Sequence, residues 1–506
     1  MAPSSLQVLP YGSWPTPITS ELVVRSARLP TGYAAVDGTD VWWSESRPEE
    51  GGRTAVLRRS ADGTVTEVLR APANARTAVH EYGGGAWWVR EGVLWHTDWS
   101  TQRLHRIAPD GTDLVLTPEP EVPRGLRYAD GDVSPDGLTI LCVQEAHHAD
   151  GTEAANTIVR LAADEPSTPE PVVTGPDFVA GPRWRPDGSA FCWLEWDHPD
   201  MPWDAVRLVV DEGGTRVVVA GDDERESICQ PTWARDGSLW FTGDRTGFWC
   251  LYRWTPSGGR ELMADLERDI GFPQWVFGLR CFALLDDGRV VFVHRGGGTD
   301  HLGVLDPTSG RVDDVVVPHT SIDALEAAGE GVVYVAASAT TEPHVVRVAI
   351  PAPDGTSAST SSVEVLVPPR DLGIDEGWFS QPEAIDFPTA GGHTAHALYY
   401  PPTNPEVQGP PGTRPPLLVM IHGGPTSAAR PILALGKQYW TSRGFAVVDV
   451  NYRGSTGYGR AYRDLLQGSW GVADVEDCAA VCRYLVERGD VDPDRLCIRG
   501  SSAGGF

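Results

Sequence analysis

The 506-residue sequence predicts a seven-bladed β-propeller followed by a parallel α/β domain. Three observations lead there. An Asp-Gly or Glu-Gly turn signal recurs seven times in the first 350 residues. A short apolar strand, usually carrying Arg, follows each turn in step with it. Beyond about residue 375 the apolar runs alternate with helical stretches instead.

The composition suits such a chain. It is 41% hydrophobic and 22% charged, ordinary for a soluble globular protein, which excludes global disorder and a fibrous repeat. The 19 Trp and 56 Gly together favour sheets joined by tight turns. A net charge of −28 repels phosphates, so neither nucleic acid nor an anionic membrane is expected as a partner. The cations are nearly all Arg, and Lys437 is the only lysine. The N-terminus has no basic region followed by an apolar core, so no secretory signal is read there. Eight scattered cysteines form no CxxC pair and mostly sit in apolar runs, which fits free thiols in a reducing cytoplasm.

The turn signals are Asp37-Gly38, Glu91-Gly92, Asp136-Gly137, Asp187-Gly188, Asp236-Gly237, Asp287-Gly288 and Glu330-Gly331. Their glycines are 54, 45, 51, 49, 51 and 43 residues apart. The second signal follows 13 to 22 residues later, for example Val56-Leu57-Arg58, Ile158-Val159-Arg160 and Val345-Val346-Arg347. One unit is therefore four strands. It cannot bury both faces alone, and radial stacking of seven copies buries them. The sequence divides into an N-terminal segment 1–28, a propeller 29–370 and an α/β domain 375–506. Residues 351–363, rich in Pro, Gly, Ser and Thr, form a loop or the end of the last blade.

In the α/β part, Leu417–Ile421 and Phe445–Val450 are continuous apolar runs, as strands covered on both faces require. Residues 472–488 predict a helix that buries Val475, Ala479, Cys482 and Val486 and stops at Gly489. Asp474 and Asp477 on that helix read as structural. Arg495–Ile498 predicts a third buried strand, running into Gly500-Ser501-Ser502-Ala503-Gly504. This G-x-S-x-G pattern places Ser502 at the centre of a sharp strand-to-helix turn, whose flanks must lack bulk. A helix after the turn would point its N-terminus at the serine, and the Ala503 amide could donate to an oxyanion.

His422-Gly423-Gly424-Pro425 follows the first buried strand, and Asn451 to Gly459 (NYRGSTGYG) follows the second. With these segments the chain resembles the prolyl oligopeptidase family of serine peptidases, in which a propeller precedes an α/β-hydrolase domain. WDHPDMPWD (Trp196 to Asp204) and VHEYGGG (Val79 to Gly85) resemble its acylaminoacyl peptidase and dipeptidyl aminopeptidase branch.

The resemblance implies Ser502 as nucleophile, with the Tyr458 hydroxyl and the Ala503 amide as oxyanion donors. It implies hydrolysis of short peptides through an acyl-enzyme on Ser502. His422 lies upstream of the serine, where the family's order of Ser, acid, His does not place the base; its turn shapes the floor of the site. Glu81 is a candidate substrate-binding carboxylate that would favour a free amino terminus. Phe506 follows Ser502 by four residues, and no Asp, Glu or His lies between them. The triad acid and base are therefore expected outside this polypeptide, the hydrolase domain is expected to be incomplete, and the chain is expected to be an inactive fragment. Two alternatives remain: an esterase or lipase on the same hydrolase half, and a propeller binding protein with a non-catalytic hydrolase domain. No HExxH, P-loop or tight His/Cys cluster appears, so no metal or other cofactor is expected.

Overall fold

The structure is a computed structural model that describes residues 6–25, 27–222, 225–351 and 361–506. Seven four-stranded antiparallel sheets form the propeller, each from consecutive strands. Blade I runs from Pro30 to Glu67, blade II from Trp87 to Val115, blade III from Leu126 to Val173 and blade IV from Phe178 to Ala220. Blade V spans Ile228 to Ala264, blade VI Phe282 to Val315, and blade VII Ser321 to Val367. Each turn signal joins the first and second strands of its blade. Six of the seven glycines have φ between 61° and 88°, the left-handed conformation a tight reversal needs. The seventh reversal is shifted: Gly329 takes φ 60° and Gly331 already begins the next strand. Of the linker 351–363, residues 352–360 lie outside the described residues, and Val363–Val367 supplies the fourth strand of blade VII.

Side chains on the inner strands tie neighbouring blades. Asp37 accepts from the Glu91 and Gly92 amides (2.9 and 2.7 Å), and Asp130 from the Gly181 amide (2.7 Å). Gln230 accepts from the Cys281 amide at 2.6 Å. Among the described residues no strand is shared between blades I and VII. Their seam is an apolar cluster that includes Ala34, Trp43, Leu57, Leu325's neighbour Ala324, Val333 and Val345. Asp130, Asp132, Arg183, Arg280 and Glu326 line a cavity of about 350 Å³ within the ring.

The α/β domain is a five-stranded sheet of β1 (Glu383–Pro388), β2 (Thr394–Tyr400), β3 (Leu417–Ile421), β4 (Ala446–Asn451) and β5 (Leu496–Gly500). The strand order is β1-β2-β4-β3-β5, with β3 parallel to both β4 and β5. Three helices accompany it: α1 (Leu435–Thr441), α2 (Gly459–Asp464) and α3 (Ala473–Arg488). As the apolar runs require, β4 is buried throughout. Residues 6–25 lie on this domain: Gln7–Val8 pairs in parallel with Val407–Gln408, and Tyr11 and Trp14 pack around Gly444.

Two sequence expectations need correction. First, α3 ends at Gly489 (φ 82°) as expected, but its buried face differs. Val475 is 58% exposed and Ala479 is exposed, while Ala473, Asp474, Asp477, Cys478, Val481 and Leu485 are buried. Two carboxylates occupy the inner face, so a search for an apolar stripe selects the wrong rotation. Second, β5 is not buried in this chain: all five residues are exposed, Ile498 by 62%, the open apolar edge expected of this strand where neighbouring strands are missing. It is an edge strand, paired on one side only. Among the described residues no helix is long and apolar enough to cross a membrane.

Candidate active site

The parallel strands β3, β4 and β5 direct their carboxyl ends to one edge of the sheet, where open α/β sheets bind ligands. Ser502 follows β5 there, at the start of the 3-10 turn Ser502–Gly505. Its φ of 54° is left-handed, an uncommon conformation for a non-glycine residue. Such a bend costs roughly 1–3 kcal/mol and persists only where the surroundings impose it. The flanking glycines show how. A Cβ on Gly500 would lie 1.8 Å from the Gly504 carbonyl oxygen. A Cβ on Gly504 would lie 2.5 Å from the Ile421 oxygen and 2.7 Å from that of His422. The turn thus folds back on β5 and presses against the end of β3. Gly500→Ala is expected to cost about 1–3 kcal/mol of stability through this overlap. The check is the urea midpoint; a midpoint equal to wild type would contradict the close approach.

Gly423 brings the HGGP turn to the serine, since a Cβ on it would stand 3.2 Å from the Ser502 Cβ. His422 itself is turned away from a proton-transfer role. One ring nitrogen meets the Gly423 carbonyl at 2.7 Å, the other the Ser455 hydroxyl at 2.8 Å, and the ring stacks on Tyr452. Burial lowers its pKa. Among the described residues no side chain hydrogen-bonds the Ser502 hydroxyl, which is exposed. Ala503 follows it directly in the 3-10 turn.

Tyr458 sits just before α2, stacked on His396 at 4.0 Å. Its hydroxyl oxygen accepts from Asn451 Nδ2 at 2.9 Å, and Asn451 Oδ1 in turn accepts from the Ala429 amide at 2.7 Å. The phenol oxygen is therefore held through its lone pair, leaving its own proton to donate. Burial pushes its pKa upward, so it stays a neutral donor. No hydrogen bond joins Tyr458 to Ser502.

The propeller meets this same edge. Asp269 accepts from the Gly457 and Gly459 amides at 3.0 and 3.2 Å, clamping the loop on both sides of Tyr458. Asp244 pairs with Arg460 (2.7 Å) and Arg463 of α2. Arg430, beyond the HGGP turn, pairs with Asp300 and Asp323 at 2.6 and 2.8 Å. Trp275 donates to the Thr426 carbonyl at 2.6 Å and meets Tyr82 edge-to-face at 5.3 Å. Tyr82 follows Glu81, whose carboxylate is largely exposed and pairs with Arg127 at 3.0 Å. The sequence had isolated Glu81 but not Arg127, Asp269 or Asn451. Their partners are 46, 188 and 7 residues away, so only the last could have been sought locally.

Comparison with known proteins agrees with this architecture. The profile of the Prolyl oligopeptidase family matches residues 433–506. A puromycin-hydrolyzing peptidase of Mycobacterium tuberculosis is 40% identical with a TM-score of 0.89, over 98% of this chain and 77% of that one. A structure of puromycin hydrolase is 38% identical with a TM-score of 0.90, over 99% and 78%. The acylamino-acid-releasing enzyme of Sus scrofa is 26% identical over 378 residues, 67% of this chain and 48% of that enzyme. Its counterpart in Arabidopsis thaliana is 38% identical over 91 residues, 18% of this chain and 12% of that enzyme. The chain thus spans about half the length of the pig enzyme, and less of the plant one. A seven-bladed propeller on an α/β sheet, a left-handed serine in G-x-S-x-G and these likenesses over nearly the whole chain place it in the prolyl oligopeptidase family.

Proposed function

We propose that the protein is a serine peptidase that hydrolyses short peptides through an acyl-enzyme on Ser502. The observation that carries this is the strained, exposed serine at the carboxyl edge of the sheet, enclosed by glycines and facing the HGGP turn. In the first step Ser502 Oγ attacks the scissile carbonyl, and the amine leaves with the proton the serine gives up. The Ala503 amide and the Tyr458 hydroxyl hold the oxyanion; Asn451 and Asp269 fix the position of the latter. Water then releases the acyl group. None of the described groups accepts the Ser502 proton, so the 506-residue chain alone is proposed not to turn substrate over. The eight free cysteines, five of them buried in the propeller, suit a reducing cytoplasm. Labelling of Ser502 by a fluorophosphonate in the full-length protein tests the proposal. An unlabelled serine would leave the propeller-scaffold reading, and ester turnover without peptide turnover would leave an esterase.

Glu81 is proposed to bind the substrate's free α-amine. It stands exposed on the loop that Tyr82 and Trp275 connect to the HGGP turn. A charge-assisted hydrogen bond is worth about 1.5–3 kcal/mol. Glu81→Gln is therefore expected to raise KM for free aminoacyl arylamides by about tenfold or more, with N-acetylated substrates unaffected. Equal effects on both substrate classes would assign Glu81 a structural part instead.

A further inference from the structure

Blade II contains a side-chain set unrelated to the serine. His96 on strand Val93–Thr97 lies directly opposite His105 on strand Leu104–Ile107. Asp113 begins the next strand, Asp113–Val115, diagonal to His105, which faces Val115. One ligand atom from each of the three lies within 4.8 Å of the others. His105 Nδ1 and Asp113 Oδ1 are 3.1 Å apart. His96 is 0% exposed, yet neither of its ring nitrogens has a hydrogen-bond partner. A buried polar group without a partner costs roughly 1–3 kcal/mol, so this ring is the part of the blade that asks for a ligand.

We propose that His96, His105 and Asp113 form a binding site for a divalent transition-metal ion of the zinc type, which clips three successive strands of blade II. Two imidazoles and one carboxylate are a common set for such an ion, and water completes the four-fold shell on the side of the half-exposed Asp113. Ligand nitrogens on a tetrahedral zinc stand roughly 3.3 Å apart, given bonds of about 2.0–2.1 Å. The two rings, stacked at 5.1 Å, reach that by rotation about their soft outer torsions.

Two comparable sets on the same propeller differ in a telling way. Blade VI repeats the pattern with His294 opposite His301 and Asp314 on the next strand. There His301 Nε2 is engaged by Thr299 and the Gly296 carbonyl, and Asp314 meets His294 at 3.1 Å. Glu81, Glu145 and His147 also converge, but the Arg127 guanidinium already supplies the positive charge between the two carboxylates. His294 Nδ1 is likewise buried without a partner, but among the described residues only the blade II set joins three converging ligand atoms to a buried imidazole with both ring nitrogens unpartnered.

The test titrates the intact 506-residue chain, stripped with EDTA, with ZnCl2 by calorimetry and with CoCl2 by visible absorption. The expected result is one ion per chain, bound at least tenfold more weakly by His105→Ala and by Asp113→Asn and unchanged in His301→Ala. Asp113 is half-exposed, so its variant folds even where loss of a histidine perturbs the blade; circular dichroism checks both. Absence of stoichiometric binding in the wild type, or weakening below tenfold in both variants, overturns the proposal.

Discussion

Ser502→Ala is expected to lower kcat for short peptide substrates by about a millionfold in the full-length protein, with KM little changed. The reason is local. The hydroxyl is the bond-forming atom, and its loss leaves only oxyanion donors and substrate contacts. The alanine keeps the left-handed turn, because φ is set by Gly500 and Gly504 packing against each other and against the end of β3, not by the side chain. Steady-state kinetics with a chromogenic aminoacyl arylamide measures it. A loss below about a hundredfold would remove Ser502 from the chemistry. The 506-residue chain gives a separate reading. Turnover by it that Ser502→Ala abolishes would keep the nucleophile and refute the proposal that this chain is inactive.

The second large effect is on stability. Asp477 of α3 is fully buried and accepts from the Arg453 amide at 2.7 Å, from Arg453 Nε at 3.0 Å and from the Thr389 hydroxyl at 2.6 Å. It fastens the longest helix to the loop after β4, the loop that leads to Tyr458. Asp477→Ala removes a carboxylate but leaves its partners buried. Arg453 keeps only Glu476 and the Ala473 carbonyl. Breaking one side of a buried ion pair costs about 3–5 kcal/mol. Urea unfolding of the 506-residue chain should show that loss as a lower midpoint. A loss under about 1 kcal/mol would mean that the pair is not formed in solution. Asp477→Asn, which keeps the size and one acceptor oxygen, should lose less.

Local chemistry explains what could be read in advance. Asp-Gly reversals and their following strands are short-range signals, so seven units at a spacing near fifty residues gave the ring. Continuous apolar runs gave β3 and β4 because both of their faces are covered. The motif glycines gave the elbow, since the backbone approaches too closely there for any side chain. The errors have physical causes too. The inner face of α3 carries Asp474 and Asp477, so hydrophobic periodicity cannot find it without knowing that Arg453 waits opposite. The strand Leu496–Gly500 is apolar enough to look buried, yet burial depends on a neighbour that its own letters do not specify. The last reversal moved from Gly331 to Gly329 because the strand register of blade VII, not the dipeptide, decides which residue turns.

By itself, then, the sequence determined the repeat, the change to an α/β pattern and the glycine-flanked serine, all of which depend on residues a few positions apart. Only the tertiary structure decided which propeller groups reach the site: Asp269 at the Tyr458 loop, Trp275 at Thr426, and the convergence of His96, His105 and Asp113 across three strands. Those contacts join residues that chain connectivity leaves free, and they exist because stacking the blades and docking the ring on the sheet bury apolar surface.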